Sequence, residues 1–178
     1  MHLYEKQLSS KIIHDGKIIK LTVDTVELEN GRTATREVVH HNGGVCIVPI
    51  TDDNEVLFVK QFRYPFKDVI LEIPAGKIDK DEFHGDCGKR ELLEETGAVA
   101  KQFDYLGVLY PTTGYVTEKI HMYLARGLSF KSQKLDEDEF LDIVKIPLEK
   151  AVDMIMNNEI PDAKSQIAIL KTARLLKI

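Results

Sequence analysis

The chain has 178 residues, of which 43% are hydrophobic and 30% are charged, and its formal net charge is −5 at pH 7. This length fits one domain, or one domain with a small appendage, and the hydrophobic content is that of a globular protein. The acidic balance argues against a nucleic-acid-binding protein, because such proteins need a basic face to neutralise phosphates. A phosphate-containing ligand stays possible, because a bound cation can supply the positive charge.

The cysteine content and the hydropathy pattern bear on location. Two cysteines, Cys46 and Cys87, are too few for a disulfide framework, which favours a reducing compartment. The first residues lack the apolar core of a signal peptide, and no apolar run approaches the ~18 residues that span a bilayer. We therefore expect a soluble cytoplasmic protein with neither membrane nor nucleic-acid partners.

The first forty residues have the pattern of β structure. Asp15-Gly16 and Asn30-Gly31 are two-residue hairpin signals, each between strand-like runs. Asn42-Gly43-Gly44 interrupts this pattern. We therefore expect a small β-rich segment at residues 1–42 and the main domain at residues 43–178.

The main domain mixes strand-like and helix-like segments. Strands are predicted at five places: Val45 to Ile50, Glu55 to Phe62, Val69 to Ile73, Tyr105 to Tyr110 and Lys119 to Ala125. Helices are predicted from Phe83 to Thr96, from Leu148 to Asn157, and onward from Pro161-Asp162 with Ile167, Leu170, Ala173 and Leu176 on one apolar face. Strict strand–helix alternation is missing, so the pattern predicts an α/β fold in which helices cover a mixed sheet.

The chemically informative segment is residues 76–98, which read GKIDKDEFHGDCGKRELLEETGA. Glu91, Glu94 and Glu95 are three and four residues apart on the predicted helix, so their Cβ atoms lie within ~5–6 Å of one another. Such like charges destabilise a helix, and a divalent cation between them would remove that penalty; carboxylate oxygens suit Mg²⁺ or Mn²⁺. The spacing alone leaves two interpretations open: a metal–phosphate site, or a solvated surface where Arg90 pairs with Glu94.

Two glycines interrupt this predicted helix. Gly85 and Gly88 are poor helix formers, each costing ~0.8–1 kcal/mol relative to alanine inside a helix. Either the helix begins late, or the glycines allow it to pack closely against the sheet.

The wider pattern resembles the Nudix box. This motif has the form G-x5-E-x7-R-E-U-x-E-E-x-G-U, in which x is any residue and U is an aliphatic residue. The matching residues here are Gly76, Glu82, Arg90, Glu91, Leu92, Glu94, Glu95, Gly97 and Ala98. Ala98 is small for the last aliphatic position. The β-rich beginning, Gln61-Phe62-Arg63, Pro74-Ala75-Gly76 and an acidic loop followed by two helices resemble the ADP-ribose pyrophosphatase branch of this family. One departure is Thr113, which stands where that branch has a proline.

The resemblance implies a set of site residues. Divalent-metal ligands would be the Ala75 carbonyl, Glu91, Glu95 and Glu139. Arg90 would orient the glutamates, Glu94 would lie close by, and Glu137 of the acidic loop would be the general base. Substrate-binding residues would be Arg63, which suits phosphate, together with Arg36, Glu118 and Gly114.

The resemblance also implies a Nudix fold, a mixed β-sheet sandwiched between helices, and an enzymatic function. The expected reaction is Mg²⁺-dependent hydrolysis of the diphosphate of a nucleoside diphosphate sugar, ADP-ribose, to AMP and ribose 5-phosphate, with Mn²⁺ able to substitute. The N-terminal segment would join two copies into a homodimer, unless it docks on its own chain instead. The same residues are also compatible with a different nucleotide sugar or a dinucleotide as substrate, and with a non-catalytic module that binds ADP-ribose.

Overall fold

The computed structural model describes residues 2–135 and 139–178. The strands in this part of the chain are β1 (Lys6–Asp15), β2 (Lys20–Glu27), β3 (Thr33–His40), β4 (Gly44–Pro49), β5 (Glu55–Arg63), β6 (Asp68–Glu72), β7 (Ala75–Lys77), β8 (Ala98–Leu109), β9 (Ile120–Phe130) and β10 (Leu141–Pro147). The helices are α1 (His84–Thr96), α2 (Leu148–Met156) and α3 (Ala163–Leu176). Over the same residues, no helix has both the length and the apolar character needed to cross a membrane.

The chain divides into two compact units. The first contains Met1–Gly43 together with Tyr110–Lys119, and the second contains Gly44–Leu109 and Ile120–Ile178. Within the first unit, Val39 holds the returning segment through two backbone hydrogen bonds: its N–H donates to the Tyr115 carbonyl at 2.8 Å, and its carbonyl accepts from Thr117 at 3.0 Å. A segment far along the sequence thus becomes part of the N-terminal unit.

The first unit is built on an antiparallel sheet with the order β1-β2-β3. Asp15-Gly16 and Asn30-Gly31 mark its two hairpins, as the sequence predicted. The connections are longer than two residues, covering 16–19 and 28–32. Gly16 N–H donates to the Ile19 carbonyl at 3.0 Å, and Gly31 takes a φ of 77°, which glycine adopts without strain.

The second unit has the predicted layers. Its mixed sheet has the order β7-β4-β9-β8, with β4 and β9 parallel, and β10-β5-β6 form a separate antiparallel sheet. Every residue of β4 is buried, which explains its continuous apolar run. Its Val45 and Ile47 belong to the core formed with α1, whereas Cys46 and Val48 belong to the core formed with α2 and α3. The mixed sheet therefore lies between α1 and the α2–α3 pair.

Helix α1 begins at His84, one residue after the predicted start, and ends at Gly97 with a φ of 70°. Its glycines pack closely against the sheet. A Cβ atom on Gly88 would lie 3.0 Å from Cζ of Phe103, and one on Gly85 would lie 3.2 Å from the hydroxyl of Tyr123. Close packing, rather than a late start, explains both glycines.

Strands β7 to β10 differ from the prediction. Strand β7 has no predicted counterpart, and β9 continues to Phe130, five residues beyond the predicted Ala125. Strand β8 begins at Ala98, seven residues before the predicted Tyr105, and β10 has no counterpart among the predicted strands. Strand β10 has only Ile146 in the buried core, so its sequence lacks the apolar run that marks β4. Its pairing with β5, from Leu141 with Gln61 to Pro147 with Glu55, is what makes it a strand.

The predicted apolar face of α3 was half right, because Ala173 and Leu176 pack against the core and the other two residues do not. Ile167 and Leu170 are exposed, and Ala173 alone of the four predicted residues is fully buried. The fully buried residues of this helix are Ser165, Ala168, Ile169, Thr172 and Ala173. Two of these are polar, so the hydrophobic pattern indicated a face rotated away from the one that packs.

Candidate active site

Strand β7 brings main chain directly against a glutamate of α1. A Cβ atom on Gly76 would lie 1.9 Å from both Cδ and Oε1 of Glu91. Any side chain at this position would have to displace the Glu91 carboxylate from its place against the main chain. The glycine at the start of the box therefore lets β7 pass beside the acidic face of α1.

Glu95 is the most buried carboxylate of this region, with 2% of its surface exposed. Its Oε2 accepts a hydrogen bond from Ala75 N–H at 3.1 Å, and its backbone carbonyl accepts one from the Gln133 side chain. Burial raises the pKa of Glu95 to about 9, and the charges of Glu91 and Glu139 add to this effect. The site thus contains a buried acid surrounded by like charges, which a cation would stabilise.

The Arg90 guanidinium donates hydrogen bonds to three glutamates. Its Nε and Nη2 donate to Glu82 at 3.0 and 3.1 Å, and its Nη1 donates to Glu91 at 2.8 Å and to Glu94 at 2.9 Å. Through its hydrogen bond, Arg90 lowers the pKa of Glu82 to about 2. Glu82 also accepts from Asp79 N–H at 3.1 Å, so the arginine connects the loop before α1 to the helix.

Arg63, at the end of β5, forms a two-point hydrogen bond with Glu72 of β6. Its Nε donates to Oε1 at 2.6 Å and its Nη2 to Oε2 at 2.8 Å. Glu72 is 3% exposed, and its Oε2 also accepts from the ammonium of Lys164 on α3. Burial alone would raise the pKa of Glu72, but the hydrogen bonds and charges of Arg63 and Lys164 outweigh it and keep this pKa below its ordinary value.

The structure brings one group of the predicted residues together. Ala75, Arg90, Glu91, Glu94 and Glu95 form the connected set described above. Glu139 lies near them: burial raises the pKa of Glu91 and of Glu95, and the charge of Glu139 adds to both effects. Its Oε1 is 3.5 Å from Gln61 Nε2. Glu137, the predicted general base, lies outside the described residues.

The other predicted substrate-binding residues lie in the first unit. Arg36 donates to Glu5 through Nε at 2.9 Å and through Nη2 at 2.5 Å. Glu118 is 3.4 Å from Nδ1 of His41, and a Cβ atom on Gly114 would meet no atom within 4 Å. Arg36 is therefore paired within its own unit, and Glu118 lies beside His41, whose Nδ1 accepts a hydrogen bond from Gly43 N–H at 3.0 Å.

Within residues 2–135 and 139–178, no three or more His, Cys, Asp or Glu side chains are arranged to hold a metal ion. The hydrogen bonds above account for this. Glu91 and Glu94 point an oxygen at Arg90, and Glu95 points one at Ala75 N–H. The carboxylates are neighbours, but their oxygens are directed at protein donors.

The partners of Arg63 are not among the residues predicted for the site. Glu72 lies inside the apolar run Val69 to Ile73, and a charged residue in such a run is a signal that it has a buried partner. Lys164 carries no such signal, because it lies 92 residues from Glu72 and near the start of a helix.

Comparison with known proteins now identifies the family. Residues 40–167 match the NUDIX domain model, and residues 5–39 match the model of the nucleoside diphosphate sugar hydrolase N-terminal domain. The chain belongs to the Nudix hydrolase family. The predicted family, the fold class and the assignment as a Nudix pyrophosphohydrolase are confirmed.

Several known proteins are similar to this chain over nearly its whole length. The chain is 42% identical to a methanol dehydrogenase activator of Bacillus methanolicus, covering 93% of this chain and 90% of the relative. It is 41% identical to the ADP-ribose pyrophosphatase of Bacillus subtilis (strain 168), covering 94% and 91%. A crystal structure of an ADP compounds hydrolase superimposes with a TM-score of 0.88 at 25% identity, covering 97% of this chain and 94% of the other.

Proposed function

We propose that this Nudix enzyme hydrolyses the diphosphate bond of ADP-ribose, with Mg²⁺, to AMP and ribose 5-phosphate. The observation that carries the proposal is the buried Glu95 beside Glu91, with the main chain of residues 75–76 lying against both carboxylates. The half-buried Glu91 is paired with Arg90, but in the described part of the chain no side-chain cation forms an ion pair with the buried Glu95. A purely structural helix has no use for such a carboxylate. The relative named ADP-ribose pyrophosphatase in Bacillus subtilis supports the choice of substrate.

The donor chemistry fits a hard divalent cation. The neighbouring side-chain donors Glu91, Glu94, Glu95 and Glu139 are carboxylates, and such donors suit Mg²⁺ or Mn²⁺. Glu91, Glu95, Glu139 and the Ala75 carbonyl would hold the ion. When bound, it would neutralise the diphosphate and activate a water molecule.

The protein's own residues divide the remaining work. Arg90 donates hydrogen bonds to Glu91 and Glu94 on the helix and to Glu82 on the loop before it, so it fixes the two helix glutamates relative to that loop. Arg63 presents a planar guanidinium suited to a phosphate oxygen. Glu137 takes a proton from the attacking water, whose oxygen ends on one phosphorus while the other phosphate leaves.

A second candidate, hydrolysis of another nucleotide sugar, is favoured by one observation. The segment Thr112-Thr113-Gly114 lacks the proline that the ADP-ribose pyrophosphatase branch carries there, and this segment would contact substrate. A binding module without catalysis is disfavoured, because it has no need of the complete set Arg90, Glu91, Glu94 and Glu95.

A substrate panel distinguishes these candidates. Purified protein with Mg²⁺ is given ADP-ribose, GDP-mannose or a dinucleoside polyphosphate, and kcat/KM is measured for each. We expect the highest value for ADP-ribose. A higher value for either other compound would replace the substrate, and no turnover of any compound, with ADP-ribose still bound, would favour the binding module.

The enzyme is, in this proposal, a cytoplasmic homodimer joined through its N-terminal unit. All ten residues of β1 are exposed, although a strand in a small sheet normally buries one face. Its apolar residues Leu8 and Ile12 are uncovered, the latter with 53% of its surface exposed. A second copy would bury them. The two buried, unpaired cysteines, Cys46 and Cys87, suit a reducing compartment.

Light scattering tests the dimer. The full chain should have twice the 20.2 kDa mass of one copy, and a variant carrying Leu8→Glu and Ile12→Glu should have the mass of one. Lys11→Glu, on the same strand, is the matched control that should remain dimeric. A full-length monomer with full activity would refute the dimer.

A further inference from the structure

Four charged side chains of alternating sign connect β5, β6 and the start of α3. The order is Arg63, Glu72, Lys164 and Asp162. Glu72 is the centre of this chain: one carboxylate, almost completely buried, accepts hydrogen bonds from both cations. Buried charges are retained only where each has a partner, so Glu72 depends on Lys164 as well as on Arg63.

The contact with Glu72 fixes the orientation of the Arg63 guanidinium. The two bonds use Nε and Nη2, so the plane of the group is set and Nη1 lies outside the pair. The Arg63 side chain is 38% exposed, whereas that of Glu72 is 4% exposed. The carboxylate therefore anchors the guanidinium from the buried side, and a fixed planar fork is what recognition of phosphate oxygens requires.

Lys164 leaves the charge of Arg63 available to an anion. Without Lys164, the single negative charge of Glu72 would be balanced by Arg63 alone. With Lys164 on Glu72, two cations share that carboxylate. Asp162 contacts Lys164 at 3.0 Å, but it also caps α3 by accepting from Ser165 N–H, where the helix dipole offsets part of its charge.

The same residues fix the main chain that leads to the glutamates. Ser165 Oγ donates to Asp162 and accepts from Ile73 N–H at 2.9 Å. Two residues further along, Ala75 N–H reaches Glu95. The start of α3 is thus connected by hydrogen bonds both to Arg63 and to the strand segment that precedes Ala75.

We propose that Lys164 is a positioning residue of this enzyme: through Glu72, it holds the Arg63 guanidinium in the orientation that meets the diphosphate. Lys164 itself touches no reacting atom in this scheme. The inference rests on the proposed function, because it assigns Arg63 a phosphate contact.

Kinetics of Lys164→Met provide the first test, since methionine is unbranched, only one atom shorter than lysine, and uncharged. Loss of such a supporting contact typically costs about 10- to 100-fold, and we expect it as a rise in KM larger than the fall in kcat. Lys164→Arg should restore most of the loss. Lys171→Met, on the exposed side of α3, is the matched control and should leave both constants unchanged.

A double-mutant cycle separates positioning from a merely structural role. If Lys164 acts through Arg63, Lys164→Met should raise KM in the wild type but should raise it no further in an Arg63→Ala background. Equal effects in both backgrounds, or an unchanged KM in Lys164→Met, would overturn the proposal.

A second variant controls for a loss of folding stability in Lys164→Met. Glu72→Gln combined with Lys164→Met removes both charges of the buried pair. The charges that lose a partner are then the Arg63 guanidinium, which is 38% exposed, and Asp162, which still caps α3. This double variant should fold and show the raised KM. A wild-type KM in this folded variant would also overturn the proposal.

A measurement without substrate tests the positioning role of Lys164 independently of the proposed function. The Nε–Hε signal of Arg63 in ¹⁵N NMR spectra is assigned by its loss in Arg63→Lys. In Lys164→Met it should shift and exchange faster with water. If the wild-type protein cleaves no nucleotide sugar, the proposed function fails, but this NMR signal still tests whether Lys164 positions Arg63. An unchanged signal in Lys164→Met would refute the positioning role.

Discussion

Replacing Glu95 with glutamine should lower activity and raise the stability of the metal-free protein at the same time. Glutamine keeps the shape of the side chain and can still accept the hydrogen bond from Ala75 N–H. It removes the charge that a cation would need. We expect kcat to fall at least ~10²-fold, the scale on which loss of one preorganised electrostatic partner acts.

The stability effect follows from the raised pKa of Glu95. Burial moves this pKa from its ordinary value of 4.5 to about 9. Above pH 4.5 the unfolded chain ionises while the folded, metal-free protein keeps the proton, so the free energy of unfolding falls as pH rises toward 9. Each pH unit in this window costs up to ~1.4 kcal/mol. At pH 7 the glutamine variant should therefore be more stable than wild type by ~1–3 kcal/mol.

Two assays measure these effects. Steady-state kinetics at saturating Mg²⁺ give kcat, and denaturant unfolding in EDTA at pH 5, 7 and 8 gives the free energy of unfolding. The stability difference should grow with pH. Glu159→Gln, which removes an exposed glutamate after α2, is the control and should change neither quantity. Near-normal kcat in Glu95→Gln, or a metal-free variant less stable than wild type at pH 8, would refute the reasoning.

Two further substitutions test the geometry of the site. Gly76→Ala places a Cβ atom 1.9 Å from the Glu91 carboxylate, so it should lower kcat at least tenfold; wild-type kinetics would show that the close approach is unimportant. Ser165→Ala removes the hydroxyl that joins Ile73 to Asp162 in the core, so denaturant unfolding should show a loss of ~1–3 kcal/mol, and an unchanged unfolding midpoint would contradict that role.

The local sequence pattern predicts the helices and strands whose structure depends on local sequence. Both predicted bounds of α1 lie within one residue of the observed ones, because the spacing of the box glutamates is helical and Gly97 marks the end of the helix. Strand β4 is predictable because both its faces are buried. Strand β10 is not, because its identity comes from pairing with β5 and not from its own composition.

The same limit applies to the candidate site. The glutamates of the box, Glu91, Glu94 and Glu95, can be named together because one helix presents them. The contact between Glu72 and Lys164 cannot, because it joins residues that are far apart in sequence and depends on how α3 packs. The buried Ser165 also turns α3 away from its expected face, since its hydroxyl serves Ile73 and Asp162.

One measurement tests the central claim most directly: incubation of the purified protein with ADP-ribose, in Mg²⁺ and in excess EDTA, followed by chromatographic analysis of the products. The account predicts AMP and ribose 5-phosphate in equal amounts with Mg²⁺, no products in EDTA, and recovery when Mg²⁺ or Mn²⁺ is added back. Undiminished turnover in EDTA, or intact ADP-ribose in saturating Mg²⁺, would contradict it.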